Sequence, residues 1–173
     1  MRRRTDAAGD TACDAGADVI IFLDADCLPG PDLGAAYTAA AAERPGVLCG
    51  PVTYLRAQDR PYDLDRLSSL RSPHPARPDL PRGQTRCARP GEHVLFWSLS
   101  FALSAGTWRG LRERFGGFCE EFTGYGGEDT DFAMNLSAHG VALQWVGGAD
   151  AYHQWHPVSS PPVEHLDDIL RNA

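Results

Sequence analysis

The stretch Asp18-Val19-Ile20-Ile21-Phe22-Leu23-Asp24-Ala25-Asp26 constrains the fold more than any other. Five consecutive apolar residues, four of them β-branched or aromatic, predict a short buried strand. It ends in two carboxylates two residues apart. Cys27-Leu28-Pro29-Gly30-Pro31 follows and cannot continue a central strand. In an α/β sheet the carboxyl ends of strands face the ligand crevice. A carboxylate pair there suits a hard divalent cation carrying substrate phosphates. Two acids after a strand serve equally well as caps of a turn and of the next helix. The strand alone does not choose between these.

The remaining sequence narrows the frame. At 173 residues the chain suits one domain with a substantial core. A net charge of −7 argues against nucleic acid or anionic lipid as partner. No apolar run reaches membrane-span length, and no signal-peptide core follows the basic Met1-Arg2-Arg3-Arg4. The expectation is a cytoplasmic protein, with peripheral membrane attachment left open. Cys13, Cys27, Cys49, Cys87 and Cys119 are odd in number and show no C-x-x-C spacing, which favours reduced, apolar-like thiols. The sequence contains no lysine, which removes P-loop and Schiff-base chemistry.

Asp32–Glu43 reads as an alanine-rich helix after Pro31, and Val47–Leu55 as a second strand broken at Gly50-Pro51. Strand, helix, strand in this order suggests a βαβ unit with a parallel sheet. The Arg- and Pro-rich residues 56–92 read as a long loop with a helical turn or two near Asp63–Leu70, either a lid or a mobile linker. Val94–Leu103 reads as one bent strand or two. Ala105–Phe115 reads as a helix capped by Ser104 and stopped by Gly116-Gly117. Glu128–Ala138 is expected to be helical and Val141–Val146 a strand. A weak helix is expected from Asp6 to Ala15, and an amphipathic one over 162–172 with Val163, Leu166 and Leu170 on one face.

Two further groups carry chemistry. Gly124-Tyr125-Gly126-Gly127 precedes Glu128-Asp129-Thr130-Asp131 at a helix start. Acids there oppose the helix dipole, worth about 0.3–1 kcal/mol each. Glycines also admit a ligand close to the backbone, Tyr125 offers a flat face to a sugar ring, and neighbouring carboxylates raise one another's pKa toward the range of a general base. His153-Gln154-Trp155-His156 holds an i, i+3 histidine pair. Such a pair suits a metal on a helical backbone; in a regular strand the two point to opposite faces and only one joins a given site, unless Pro157 ends the strand and relaxes this.

Taken in order, Phe22-Leu23-Asp24-Ala25-Asp26, then Phe115-Gly116-Gly117-Phe118, Gly124–Phe132 and His153-x-x-His156 resemble family 2 glycosyltransferases of the GT-A fold. The C-terminal half is similar to the galactosyltransferase C-terminal region of the β-1,4-galactosyltransferases. The resemblance covers roughly residues 15–157 and leaves the loop at 56–92 unmatched. It implies an α/β, partial GT-A (nucleotide-diphospho-sugar transferase) fold with a mixed central sheet flanked by helices. One partial domain would span 1–173, with an Asp-x-Asp strand, helix and strand (18–55), the Pro/Arg-rich loop (56–92), an acceptor and metal half (93–157) and a C-terminal helix (158–173). It implies inverting transfer of a sugar from a nucleotide-diphosphate sugar, a UDP-sugar foremost, to a saccharide or other hydroxyl acceptor, with Mn²⁺ or Mg²⁺ as cofactor.

By the same resemblance Asp26, His156 and His153 match metal ligands, and Asp24 matches a nucleotide contact. Glu128 matches an acceptor-binding acid and Asp129 the general base, and Tyr125, Gly126 and Gly127 of the preceding turn are counted as substrate-binding. Tyr125 stands where the galactosyltransferases commonly carry Trp, Thr130 interrupts their acidic run, and His153 stands where they often carry Met. The resembled fold begins with a nucleotide-binding strand and helix well before the Asp-x-Asp, whereas 18 residues precede Val19 here. The implied reading is an N-terminally truncated enzyme. Two alternatives remain: an inactive homologue kept as a binding module, and a haloacid dehalogenase-type phosphohydrolase. The latter is disfavoured by Leu28 at its expected Thr or Val position and by the absence of lysine.

Overall fold

A computed structural model describes residues 2–157, 159 and 163–172. The chain forms α1 (Arg2–Asp14), β1 (Val19–Leu23), β2 (Cys27–Pro29), α2 (Leu33–Glu43), β3 (Val47–Cys49), β4 (Val52–Tyr54), β5 (Thr85–Cys87) and β6 (Ser100–Ser104). It continues with α3 (Ala105–Phe115), α4 (Glu128–Ala138), β7 (Leu143–Val146), β8 (Ala151–His153) and α5 (Leu166–Asn172). The architecture is mixed α/β, with mixed sheets flanked by helices.

Three apolar runs break at the same level of the molecule. β1 breaks into β2 at Asp24-Ala25-Asp26, β3 into β4 at Gly50-Pro51, and β7 into β8 at Gly147–Asp150. The first halves join a five-stranded sheet of order β1-β6-β3-β7-β5, and the second halves form a small sheet of order β2-β8-β4. Asp24 follows the last residue of β1, and Asp26 lies at the far end of the small sheet, where β2 begins and β8 finishes at His153. Gly50 is required at the β3–β4 break because a Cβ at that position would overlap the Ala149 carbonyl oxygen.

The parallel βαβ unit needs correction. β1 and β3 run in the same direction, but β6 lies between them and is antiparallel to both. Among the described residues only β3 with β7, and β4 with β8, pair in parallel. Alternation along the strands supplies both faces of the large sheet. Ile20, Val47, Cys49, Phe101, Leu103, Leu143 and Trp145 pack against Cys13 of α1, Trp108 and Leu111 of α3, and Phe132 and Leu136 of α4. Leu48, Ala102 and Val146 pack on the other face against Leu33, Tyr37 and Ala40 of α2. Burial pushes the Cys27 and Cys49 thiols up to about 12, so both are inert apolar residues.

β1 is an edge strand. Its register with β6, and the bonds from Asp24 N–H to the Leu99 carbonyl and from Ala105 N–H to the Asp18 carbonyl, direct the main-chain groups of Ile20 and Phe22 inward. Those of Val19, Ile21 and Leu23 point away from the sheet, and Ile21 is 37% exposed.

Residues 92–99 also differ from expectation. Glu92–Leu95 is a 3₁₀ turn and the strand begins only at Ser100. Several backbone groups here bond to side chains instead of a ladder: Ser98 N–H donates to Asp129, and Arg77 takes the Leu95 and Trp97 carbonyls. The segment 56–92 is not structureless throughout. It carries 3₁₀ turns at Ala57–Asp59 and Leu64–Leu70, and its Thr85–Cys87 is the strand β5 paired to β7. α3 is capped as expected, by the Ser104 hydroxyl accepting from Thr107 N–H and by Gly116 in the left-handed region. The expected stripe faces outward: Val163, in a 3₁₀ turn before α5, and Leu166 and Leu170 of α5 are exposed. Pro162, where the expected helix begins, lies outside the described residues.

Candidate active site

β8 ends at His153, so the strand geometry that would separate the two histidines stops in time. Cys27 pairs with His153 in the β2–β8 ladder, and Gln154 N–H donates to the Asp26 carbonyl at 2.8 Å. That bond turns the chain so that both imidazoles reach one carboxylate. His153 Nε2 lies 3.2 Å and His156 Nε2 3.6 Å from Asp26 Oδ2. One donor atom from each of the three residues lies within 4.8 Å of the others. Asp26 Oδ1 is buried and has no hydrogen-bond partner among the described residues. One carboxylate and two imidazoles, with a carboxylate oxygen left over, fit a divalent transition-metal cation such as Mn²⁺. Without a cation the same contacts serve as a histidine–aspartate cluster.

Asp24 stands beside this group but outside it. Its Oδ1 accepts the N–H of Ala25 at 3.0 Å. Burial raises its pKa above the usual carboxylate value, the Asp26 charge adds to the rise, and the Ala25 N–H and His153 oppose it.

Glu128 and Asp129 occupy the first turn of α4, behind Gly127, whose φ of +92° explains the glycine. Asp129 Oδ2 accepts from Ser98 N–H at 2.9 Å, and the Ser98 hydroxyl bonds it too. Its Oδ1 is buried without a hydrogen-bond partner among the described residues. Burial pushes the Asp129 pKa up; the two Ser98 bonds oppose this, Glu128 adds to it, and the Arg77 charge opposes it. The result is a poised carboxyl with one oxygen anchored and one uncommitted, the form a general base takes.

The glycine-rich turn is clasped by α5. Asn172 Nδ2 donates to the carbonyls of Thr123, Tyr125 and Gly126 at 3.0, 3.1 and 2.8 Å, and Asp168 Oδ2 accepts from Tyr125 N–H at 3.1 Å. Tyr125 is 48% exposed, yet His165 stacks on its ring at 4.4 Å and 11°.

Sequence reasoning missed Ser98, Arg77 and a run of rings. Arg77 is 4% exposed. It donates to the carbonyls of Leu95, Gly50 and Trp97, each at 3.1 Å, and lies over the Trp97 and Trp145 rings. Nothing in an Arg/Pro-rich segment distinguishes a buried arginine from its exposed neighbours. From the histidines a line of aromatic contacts leads away: His156 to His153 at 5.2 Å, His153 to Tyr54 at 4.8 Å, Tyr54 to His74 at 5.7 Å and His74 to Trp97 at 5.1 Å.

A cavity of about 520 Å³ lies at the other end of β2 and β8. Its charged groups pair with one another, Arg71 with Asp79 and Asp150, and Arg82 with Asp32. Among the described residues no helix is long and apolar enough to cross a membrane.

No family model matches the chain. Over 49 residues it is 45% identical to validoxylamine A glucosyltransferase of Streptomyces hygroscopicus subsp. jinggangensis (strain 5008), covering 28% of this chain and 10% of that protein. The validoxylamine A glucosyltransferase of Streptomyces hygroscopicus subsp. limoneus matches to the same extent. The chain is thus similar, over a little more than a quarter of its length, to a small part of proteins named as glycosyltransferases.

Proposed function

We propose that this chain carries the metal and base half of a glycosyltransferase that moves a sugar from a nucleotide-diphosphate donor to a hydroxyl acceptor with inversion. The observation that carries the reading is the convergence of Asp26, His153 and His156 at the end of the small sheet where β2 begins and β8 finishes. The partial similarity to glucosyltransferases supports the same reaction class. UDP-glucose is the first donor to test, because those relatives are named as glucosyltransferases.

Asp26, His153 and His156 would hold Mn²⁺ or Mg²⁺, which offsets charge on a departing diphosphate. Asp24, at the same strand end, is assigned to the nucleotide. Gly126, Gly127, Tyr125 and Glu128 are assigned to the acceptor. Asp129 takes the acceptor's hydroxyl proton through Oδ1 while Ser98 fixes Oδ2. As that oxygen attacks the anomeric carbon from one side, the bond to the diphosphate breaks on the other and its electron pair leaves with the phosphate. A base positioned this way contributes about 10²–10⁴-fold.

A second reading, an inactive binding module, draws on the covered face of Tyr125. The deciding experiment measures saturable Mn²⁺ binding by electron paramagnetic resonance, together with Mn²⁺-dependent release of UDP from UDP-glucose. Binding and release, both lost in Asp26→Asn, support the enzyme. Binding without release across UDP-, GDP- and dTDP-sugars supports the module. No saturable binding rejects the metal site.

A further inference from the structure

The line of rings leading from the histidine cluster has a direction that the proposed chemistry leaves unused. It starts at His153, a candidate metal ligand, and ends at Trp97, whose chain neighbour Ser98 holds the candidate base. We infer that Tyr54, His74 and Trp97 form a stacking platform for a pyranose ring lying between the histidine cluster and Asp129; this rests on the glycosyltransferase reading above.

Each ring is fixed by something other than its neighbours. Tyr54 sits opposite His153 in the parallel β4–β8 register and is 46% exposed. His74 N–H donates to the Val52 carbonyl, which ties its segment to β4. The His74 Nδ1 accepts from Ala76 N–H at 3.2 Å. The neutral ring therefore carries its proton on Nε2, a donor suited to a sugar hydroxyl. Trp97 is held by Arg77, which bonds its carbonyl and lies 4.9 Å from its ring centre. His74 meets both Tyr54 and Trp97 edge-on, at 64° and 80°. Arg77 lies over one face of Trp97 and His153 leans on Tyr54, and the partial exposure of all three rings leaves surface for a ligand. The electron-rich face of an aromatic ring attracts the weakly positive C–H face of a pyranose, and pre-fixed rings lose little entropy on binding. A core cluster would bury these rings, whereas Tyr54 is half exposed and the other two are partly so.

Aromatic-edited NMR of the chain with Mg²⁺ tests this, using UDP, UDP-glucose and methyl β-D-glucopyranoside as probes. Shifts of the Tyr54, His74 and Trp97 signals with UDP-glucose and not with UDP place the donor sugar on the platform. Shifts with the glucoside place an acceptor ring there. Either result supports the platform, with binding weakened about tenfold in Tyr54→Leu and in His74→Ala. If neither sugar moves these signals, or both variants bind as the parent does, the platform is refuted. In that case, UDP with Mg²⁺ still shifting His153 and His156 would leave the glycosyltransferase reading intact. If UDP does nothing but the glucoside shifts the rings, the enzyme reading fails and the sugar platform stands. Tyr54 and His74 are not core residues, so loss of binding in their variants is separable from unfolding by comparing spectra without ligand.

Discussion

Replacing Arg77 by methionine tests how the base-bearing half is fastened to the sheets. Methionine matches the length of the arginine stem and removes the guanidinium. The Gly50, Leu95 and Trp97 carbonyls then lose their donor together. Hydrogen bonds to charged groups contribute about 1.5–3 kcal/mol each, and removing one side of a buried charged interaction costs about 3–5 kcal/mol. Desolvation of the guanidinium works the other way, and replacing every member of a buried ionic group by apolar residues is often neutral. That escape is closed here, because the partners are main-chain carbonyls and stay in place. The expected loss is about 3–5 kcal/mol, out of the roughly 5–15 kcal/mol that hold a domain folded. For a chain of this size the thermal midpoint falls by roughly 10 °C. Arg77→Lys keeps the charge but cannot span three carbonyls, and is expected to lose about half as much. Urea unfolding followed by circular dichroism measures both. A loss under about 1 kcal/mol for Arg77→Met, at unchanged slope, would refute the claim that this side chain ties the segment down.

Asp129→Asn separates function from stability. The folded-state pKa of Asp129 is raised, chiefly by burial. Its favourable contribution is therefore complete below the unfolded carboxylate value of about 3.9 and is lost as pH rises through the folded value. The variant should melt higher than the parent at pH 7, converge with it near pH 3, and transfer sugar about 10²–10⁴-fold more slowly; equal melting curves at pH 7 would contradict the burial argument. Asp26→Asn and His153→Ala should each weaken Mn²⁺ by at least about tenfold in calorimetry, and Asp24→Asn far less. Parental binding should weaken on acidification, because the imidazoles must be deprotonated to coordinate. Equal losses in all three variants would overturn the ligand assignment. Gly50→Ala should cost about 1–3 kcal/mol through its clash with Ala149, while Gly34→Ala, with open space around its Cβ, should gain about 0.5–1 kcal/mol by lowering unfolded-state entropy. A neutral Gly50→Ala in a denaturant melt would show that the bend between the sheets is loose.

Local signals were legible where they act locally. Ser104 and Gly116 delimit α3, and Gly127 and Glu128 open α4, because capping and left-handed backbone are decided within a few residues. Asp24-Ala25-Asp26 marked the end of β1 for the same reason. The insertion of β6 between β1 and β3 was not legible, since pairing is chosen by partners far apart in sequence. β5 was hidden by its length and its polar Thr85-Arg86-Cys87, which owes its state to β7. In the candidate site, the acids and histidines stood out by type and spacing, whereas Ser98, Arg77 and His74 act through long-range contacts with Asp129, the Gly50 and Trp97 carbonyls, and Tyr54.

The open side of β1 has a colloidal consequence. Val-Ile-Ile-Phe-Leu contains no charge and no proline, two of the devices that keep an edge strand from recruiting another. Asp18 and Asp24 flank it and act as electrostatic gatekeepers, whose repulsion between like edges fades in concentrated salt. High ionic strength should therefore drive self-association through the very strand that presents Asp24 and Asp26. Storage buffers of low salt and near-neutral pH should keep that strand end free for a ligand.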